Sequence, residues 1–272
     1  MSNLTKRLIF AFTAMPVVAF LMWFGDYTRW AFMLFLGAVA AYEWARMVNA
    51  VYEGELTAGR SVKILSPLCA VALTFSNQFF VSLPVVTGVL LLYIVLAFAK
   101  VDVKNLFAWL VLQVSAPLYI GLWGGLSLNL FEQGQGWVQC SQFLVVMTTL
   151  WACDSAAYFA GRAFGKHKFS PQISPKKTWE GAVGGTLFAM FWFWIWTRTG
   201  FGYPVFDISL SHALFLSFVL AVAGQLGDLL MSALKRWSGI KDSGSIFPGH
   251  GGVLDRADSF YLAAPIAVIL LR

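Results

Sequence analysis

Four carboxylates, Glu43, Asp154, Asp228 and Asp258, stand inside long apolar runs of this 272-residue chain. A charged side chain within a membrane-spanning helix costs several kcal/mol unless it faces a polar interior and finds partners, so each is a candidate functional residue. Gln225, Asp228, Ser232 and Lys235 follow one another at i, i+3, i+7 and i+10, one polar stripe on a helix that is expected to line a cavity. Tyr158 and Arg162 stand four and eight residues after Asp154, and Asp255 lies one turn before Asp258. Several carboxylates beside cationic segments suit Mg²⁺ and a phosphorylated substrate. That ion takes hard oxygen ligands, keeps some waters, and is commonly held by one or two carboxylates plus the substrate's phosphates. Softer metals find no ligand set, because Cys69, Cys140 and Cys153 are widely spaced in apolar runs, and only His250 among His167, His212 and His250 has a glycine-rich setting. The structural alternative is ion pairing between helices, for example Asp154 with Arg162 or Lys235. Glu43, with Arg46 at i+3, is read as a packing residue with a local partner.

These residues need a scaffold, and composition points to a lipid-embedded one. Hydrophobic residues make up 59% and charged residues 12% of the chain, against roughly 25% charged in soluble domains. That leaves too few ionisable groups to cover a soluble surface. A span needs about 20 apolar residues. Such runs lie near 8–25, 29–49, 64–81, 83–99, 106–130, 141–163, 179–198, 209–235 and 257–271, so the fold is expected to be all-α, one polytopic membrane domain over 1–272 with about nine transmembrane helices. The first run follows Lys6 and Arg7 without a small-residue cleavage site and reads as a retained helix, not a signal. With the amino terminus inside, sixteen Lys and Arg residues fall on the cytoplasmic side and only Arg29, Arg198 and Arg272 outside. The positive-inside rule then puts the carboxyl terminus outside. Asp154 and Asp228 lie about nine and seven residues from the cytoplasmic ends of their spans, roughly 10 to 14 Å deep at 1.5 Å per residue. Asp258 enters from the same side. Cytoplasmic loops 164–178 and 236–256 collect cations, glycines and prolines. The net charge of +6 is thereby explained by topology, with no nucleic-acid partner required.

The densest stretch runs from Ser232 to Asp258, SALKRWSGIKDSGSIFPGHGGVLDRAD. Its glycines and Pro248 interrupt the helix between Ser238 and Gly252, and Gly249, Gly251 and Gly252 let backbone N–H groups approach a phosphate. A helix restarting near Asp255 is expected to offer its amino end to an anion.

This segment resembles the signature of the phosphatidate cytidylyltransferase (CDP-diacylglycerol synthase) family, bacterial type, at Ser232, Lys235, Arg236, Lys241, Asp242, His250, Gly251, Gly252, Asp255, Arg256 and Asp258. A second similar block covers Cys153 to Gly165 and Ser174 to Gly181, while the first 140 residues match in hydropathy alone. The resemblance implies transfer of the cytidylyl group from CTP to phosphatidic acid at the cytoplasmic face of a bacterial inner membrane, giving CDP-diacylglycerol and pyrophosphate for phospholipid biosynthesis. It places Mg²⁺ on Asp228 and Asp255, with Ser232 and Lys235 beside them and Arg256 in the catalytic group. Asp258 and Asp154 are additional metal candidates, and a second ion has room. Lys176, Lys177, Arg236, Lys241, Asp242, His250, Gly251 and Gly252 are the candidates for binding the two substrates, with lipid entering sideways from the membrane near the eighth span. GxxxG spacings at Gly121 to Gly125 and Gly181 to Gly185 permit close helix contact within the chain or in a homodimer. The competing readings are an ion-coupled transporter, which needs an internal repeat that is not evident, a CTP-using lipid kinase of the dolichol kinase kind, which releases CDP, and a membrane scaffold.

Overall fold

A computed structural model describes residues 20–21, 24–52, 59–78, 82–101, 103–131, 137–199, 208–247 and 251–271. Most of the predicted first span, and His250, lie outside them. Among the described residues eight main helices follow in order: α1 (Asp26–Val51), α2 (Gly59–Gln78), α3 (Ser82–Lys100), α4 (Val103–Ala116), α5 (Trp137–Phe164), α6 (Trp179–Thr199), α7 (Leu210–Trp237) and α8 (Leu254–Leu271). The all-α expectation holds but for one hairpin, β1 (Lys168–Ser170) and β2 (Ser174–Thr178), inside the segment predicted as an irregular loop. Among the described residues four helical stretches are long and apolar enough to cross a membrane, Asp26–Val51, Lys104–Leu130, Ser141–Phe164 and Leu210–Trp237. Val62–Phe75 and Pro84–Phe98 are apolar but shorter, so these residues show a membrane protein without reaching nine spans.

The run predicted as one span over 106–130 is interrupted. After α4 the chain passes through a π-helical turn at Pro117–Leu122, a short α turn at Trp123–Ser127 and a 3-10 turn at Leu128–Leu130. Proline lacks the N–H that the α ladder needs and its ring crowds the preceding turn, which accounts for the irregularity beginning at Pro117.

The chain forms two compact units. The first comprises Met1–Leu128 with Leu234–Ala257. Within it Trp44 donates its indole N–H to the Leu112 carbonyl at 3.0 Å, and Gln113 donates to Asn49 Oδ1 at 3.0 Å, so α1 and α4 are joined by buried polar bonds. Gly121, in the π-helical turn, packs against α2: a Cβ there would stand 2.5 Å from the Ala70 carbonyl oxygen and 2.8 Å from its Cα. Thr74 Oγ1, at 2.9 Å from both the Ala70 and Gly121 carbonyls, lies within hydrogen-bond reach of each.

The second unit comprises Asn129–Ala233 with Asp258–Arg272. Its α5 and α6 form an antiparallel pair packed backbone to backbone, since a Cβ at Gly185 would lie 2.7 Å from the Cys153 carbonyl and 2.8 Å from Ala157 Cβ. The hairpin connecting them pairs Lys168 with Thr178 and Ser170 with Ser174. Thr178 Oγ1 accepts from the Gly181 N–H at 3.2 Å, capping α6. Helix α8 reaches α7 where Gly227 has no side chain, a Cβ there falling 2.5 Å from the Asp258 carbonyl. Gly121, Gly181 and Gly185 are thus consumed in contacts within the chain.

Valine at Gly185 has no room, and its neighbours are backbone atoms and an alanine Cβ, none of which can swing away. Gly185→Val is expected to destabilise the detergent-solubilised protein by roughly 1–3 kcal/mol, a drop of about 5 °C in thermal midpoint, checked by a melting curve followed through tryptophan fluorescence.

Candidate active site

One polar group belongs to the second unit. Lys177, next to the end of β2, reaches Asp228 with its Nζ 2.6 Å from Oδ2. Ser232, one turn along α7, donates to the other oxygen, Oδ1, at 3.2 Å. The hairpin explains how a lysine 51 positions earlier in sequence finds this aspartate: Trp179 N donates to the His167 carbonyl at 2.9 Å and Thr178 caps α6, so β2 delivers Lys177 at a fixed place. Asp228 and Lys177 are 28% and 29% exposed, which leaves the pair open to a ligand. Gln225 departs from expectation. Its amide nitrogen meets the Ala182 carbonyl at 3.2 Å, Thr186 Oγ1 at 3.0 Å and Cys153 Sγ at 3.4 Å. It ties α7 to α5 and α6 and lines no cavity.

The second group belongs to the first unit and is built by the residues after α7. That helix stops at a left-handed glycine, Gly239 with φ of 73°. Ile240 N donates to the Lys235 carbonyl at 3.0 Å and Gly239 N to that of Arg236 at 3.1 Å, the paired bonds of a glycine-terminated helix. Lys235, in the last turn, donates from Nζ to Asp255 Oδ1 at 2.7 Å. Asp255 Oδ2 accepts the Ser243 N–H at 2.7 Å and the Gly252 N–H at 2.9 Å, and lies 3.0 Å from Ser243 Oγ. Burial alone would raise the Asp255 carboxyl, but the Lys235 hydrogen bond and charge, together with the Gly252 and Ser243 N–H groups, outweigh it and hold the group below the ordinary carboxylate range.

Glu43 closes this group. It is 3% exposed, and Ser243 is fully buried. Glu43 Oε2 lies 2.8 Å from Ser243 Oγ and accepts the Leu254 N–H at 3.0 Å, while Oε1 accepts the Val253 N–H at 3.1 Å. Arg46 does not pair with Glu43 but donates to the Ser243 carbonyl. The reading of Glu43 as locally partnered is therefore corrected, because the guanidinium is drawn to a carbonyl of the loop. The expectation that the amino end of α8 waits for a substrate anion is corrected with it, since its first N–H groups already donate to Glu43. Glycines serve the same seat: a Cβ on Gly252 would collide with the Glu43 carboxylate and with Ser243 Oγ. Gly251 adopts φ of 85°, with Asp255 against the position of its absent Cβ.

The remaining predicted residues are more dispersed. Lys176, Arg236, Lys241, Asp242 and Arg256 are exposed, as is Asp154. Arg162, paired in expectation with Asp154, has its guanidinium 3.4 Å from the Tyr158 hydroxyl. Asp258 is half-buried and its Oδ1 accepts the N–H of Ser259. Among the described residues no three or more His, Cys, Asp or Glu side chains gather as a metal-ligand cluster. Ser243 is the residue that the sequence alone does not single out, and Glu43 with Arg46 reads there as a local packing pair; the signs of the group are that ionisable pair on an apolar helix and a serine beside Asp242.

Residues 5–272 match the profile of the cytidylyltransferase family. A phosphatidate cytidylyltransferase of Pseudomonas aeruginosa is 34% identical over 288 residues, an alignment covering 98% of this chain and 97% of that protein. One from Brucella suis is 32% identical over 280 residues, covering 98% and 92%. One from Haemophilus influenzae is 46% identical over 122 residues, covering 45% and 42%.

Removing the cation from a nearly buried pair strands the carboxylate, so Lys235→Met is expected to cost about 3–5 kcal/mol of stability at neutral pH. Because the folded Asp255 titrates below its ordinary value, the pair contributes fully above that ordinary value and is lost as pH falls through the depressed one. Melting curves of both proteins, taken in chelator-treated detergent from neutral pH into acid, should converge at the acid end.

Proposed function

The chain belongs to the cytidylyltransferase family, and we infer from that membership that it transfers the cytidylyl group of CTP to phosphatidic acid, releasing pyrophosphate and forming CDP-diacylglycerol for phospholipid synthesis. The observation that carries this reading is similarity along nearly the whole chain to phosphatidate cytidylyltransferases. The carboxylate, hydroxyl and ammonium groups at Asp228, Ser232 and Lys177 support it, being suited to handling phosphates.

In the reaction a phosphate oxygen of phosphatidic acid bonds to the α-phosphorus of CTP, and the bond from that phosphorus to the oxygen bridging to the β-phosphate breaks. The electron pair leaves with pyrophosphate. A phosphate monoester has a second pKa near 6 and is mostly ionised at neutral pH, so no strong base is needed to remove a proton. Bringing two polyanions together and neutralising the departing charge is the main task. Lys177, exchanging Asp228 for a substrate phosphate, suits that task, as do the exposed Lys176, Arg236, Lys241 and Arg256.

We propose Mg²⁺ as cofactor. Asp228 and Ser232 present hard oxygen donors on neighbouring turns, a donor set that fits this ion when substrate phosphates and water complete it. The resemblance adds Asp255, and Asp154 and Asp258 are further oxygen donors for it or for a second ion. When bound, Mg²⁺ supplies countercharge to the phosphates. Three of the four donors around Asp255 meet Oδ2, so Oδ1, which takes Lys235 alone, is the oxygen left to face such an ion.

We also propose the finer placement of the chain: one domain with about nine spans in a bacterial inner membrane, its amino terminus and site cytoplasmic and its carboxyl terminus outside. The supporting feature is the asymmetry of Lys and Arg. The close contacts of Gly121, Gly181 and Gly185 are made within the chain and carry no argument for the homodimer.

Purified protein given CTP, phosphatidic acid and Mg²⁺ should form a CDP-lipid and pyrophosphate in equal amounts. Chelation should abolish both, and Asp228→Asn should lower turnover by roughly 100-fold or more while the protein stays folded. Release of CDP with a phosphorylated lipid would identify a kinase instead.

A further inference from the structure

Glu43 stands in the half of the chain that carries no signature, yet the hydrogen-bond partners of its carboxylate, Ser243, Val253 and Leu254, all lie in the signature segment. Its two oxygens take N–H donors from Val253 and Leu254, at the point where α8 begins. A negative charge there is favoured by the helix dipole and by the unpaired N–H groups of a first turn, so Glu43 fills from within the protein the place where such an end would take an anion. Ser243 Oγ lies 2.8 Å from Glu43 and 3.0 Å from Asp255, and its single proton serves both carboxylates. Arg46, one turn further along α1, holds the Ser243 carbonyl. Asp255 in turn accepts the N–H of Ser243, whose hydroxyl meets Glu43, and the N–H of Gly252, which precedes the Val253 that Glu43 holds. The path from α1 to the Asp255 carboxylate is continuous and made of short polar contacts.

We propose that Glu43, assisted by Arg46 and Ser243, is a positioning residue for cytidylyl transfer. By capping α8 and pinning the loop, it sets the direction in which Asp255 presents its carboxylate. The proposal rests on the reading that Asp255 belongs to the reacting site. It also gives the amino-terminal half a part in catalysis that family motifs do not assign to it.

Glutamine at position 43 keeps the size and one acceptor oxygen but turns an NH₂ toward N–H groups or the Ser243 hydroxyl. In Glu43→Gln the turnover number is expected to fall roughly 10- to 100-fold, with KM for CTP and phosphatidic acid changed by less than about twofold. Hydrogen exchange separates positioning from general structural loss. The Ser243, Val253 and Leu254 amides should exchange roughly 10-fold faster, while α5 and α6 keep their protection. Ser243→Ala should show a smaller loss of the same kind, and it decides the matter if Glu43→Gln does not fold. Asp255→Asn is measured beside them. If Asp255→Asn is inactive while the other two variants turn over within about twofold of the parent, the proposal is overturned. If Asp255→Asn stays active, the reading of the site beneath it fails instead.

Discussion

A carboxylate withdrawn from water must be met by donors, and the polar architecture follows from how each one is met. Asp255 is met by an ammonium and by two backbone N–H groups and a hydroxyl; Glu43 by the opening of a helix and the same hydroxyl; Asp228 by a lysine from a hairpin and a serine one turn away. In a low-dielectric setting each unmet charge would cost more than the contact itself is worth, so these arrangements specify geometry more than they add stability.

That demand explains local features that otherwise look decorative. The loop after α7 needs a left-handed glycine to end the helix so that Lys235 can turn to Asp255, and it needs a bare backbone at Gly252 to admit Glu43. Between α5 and α6 the same residue type does different work: Gly185 lets two backbones touch, and that close pair carries the hairpin which delivers Lys177. One glycine set seats charge, and the other brings helices together.

Much of this was legible in the chain. Apolar length located the helices, and spacing along α7 put Asp228 and Ser232 together, because both are consequences of local periodicity. The family motif picked out Lys235 and Asp255 without showing that they pair. Helical spacing misled at two places. Gln225 shares the stripe with Asp228 but is turned to α5 and α6, which spacing on one helix cannot reveal. Glu43 has a plausible partner three residues away and a real one 200 residues away, and no local pattern distinguishes the two. The β1–β2 hairpin escaped notice because its strands are short and largely polar and β2 contains a proline, unlike buried strands.

The separation between Glu43 and Ser243 has a consequence for how the protein is made. Ribosomes add about 5–20 residues per second, so α1 leaves the ribosome roughly 10 to 40 s before Ser243, Val253 and Leu254 exist. Throughout that interval the nascent α1 lacks the donors that meet Glu43 in the finished fold, and only synthesis of the last tenth of the chain supplies them. Final seating of α1 is thereby tied to completion of translation, because the donors that hold Glu43 are among the last residues made.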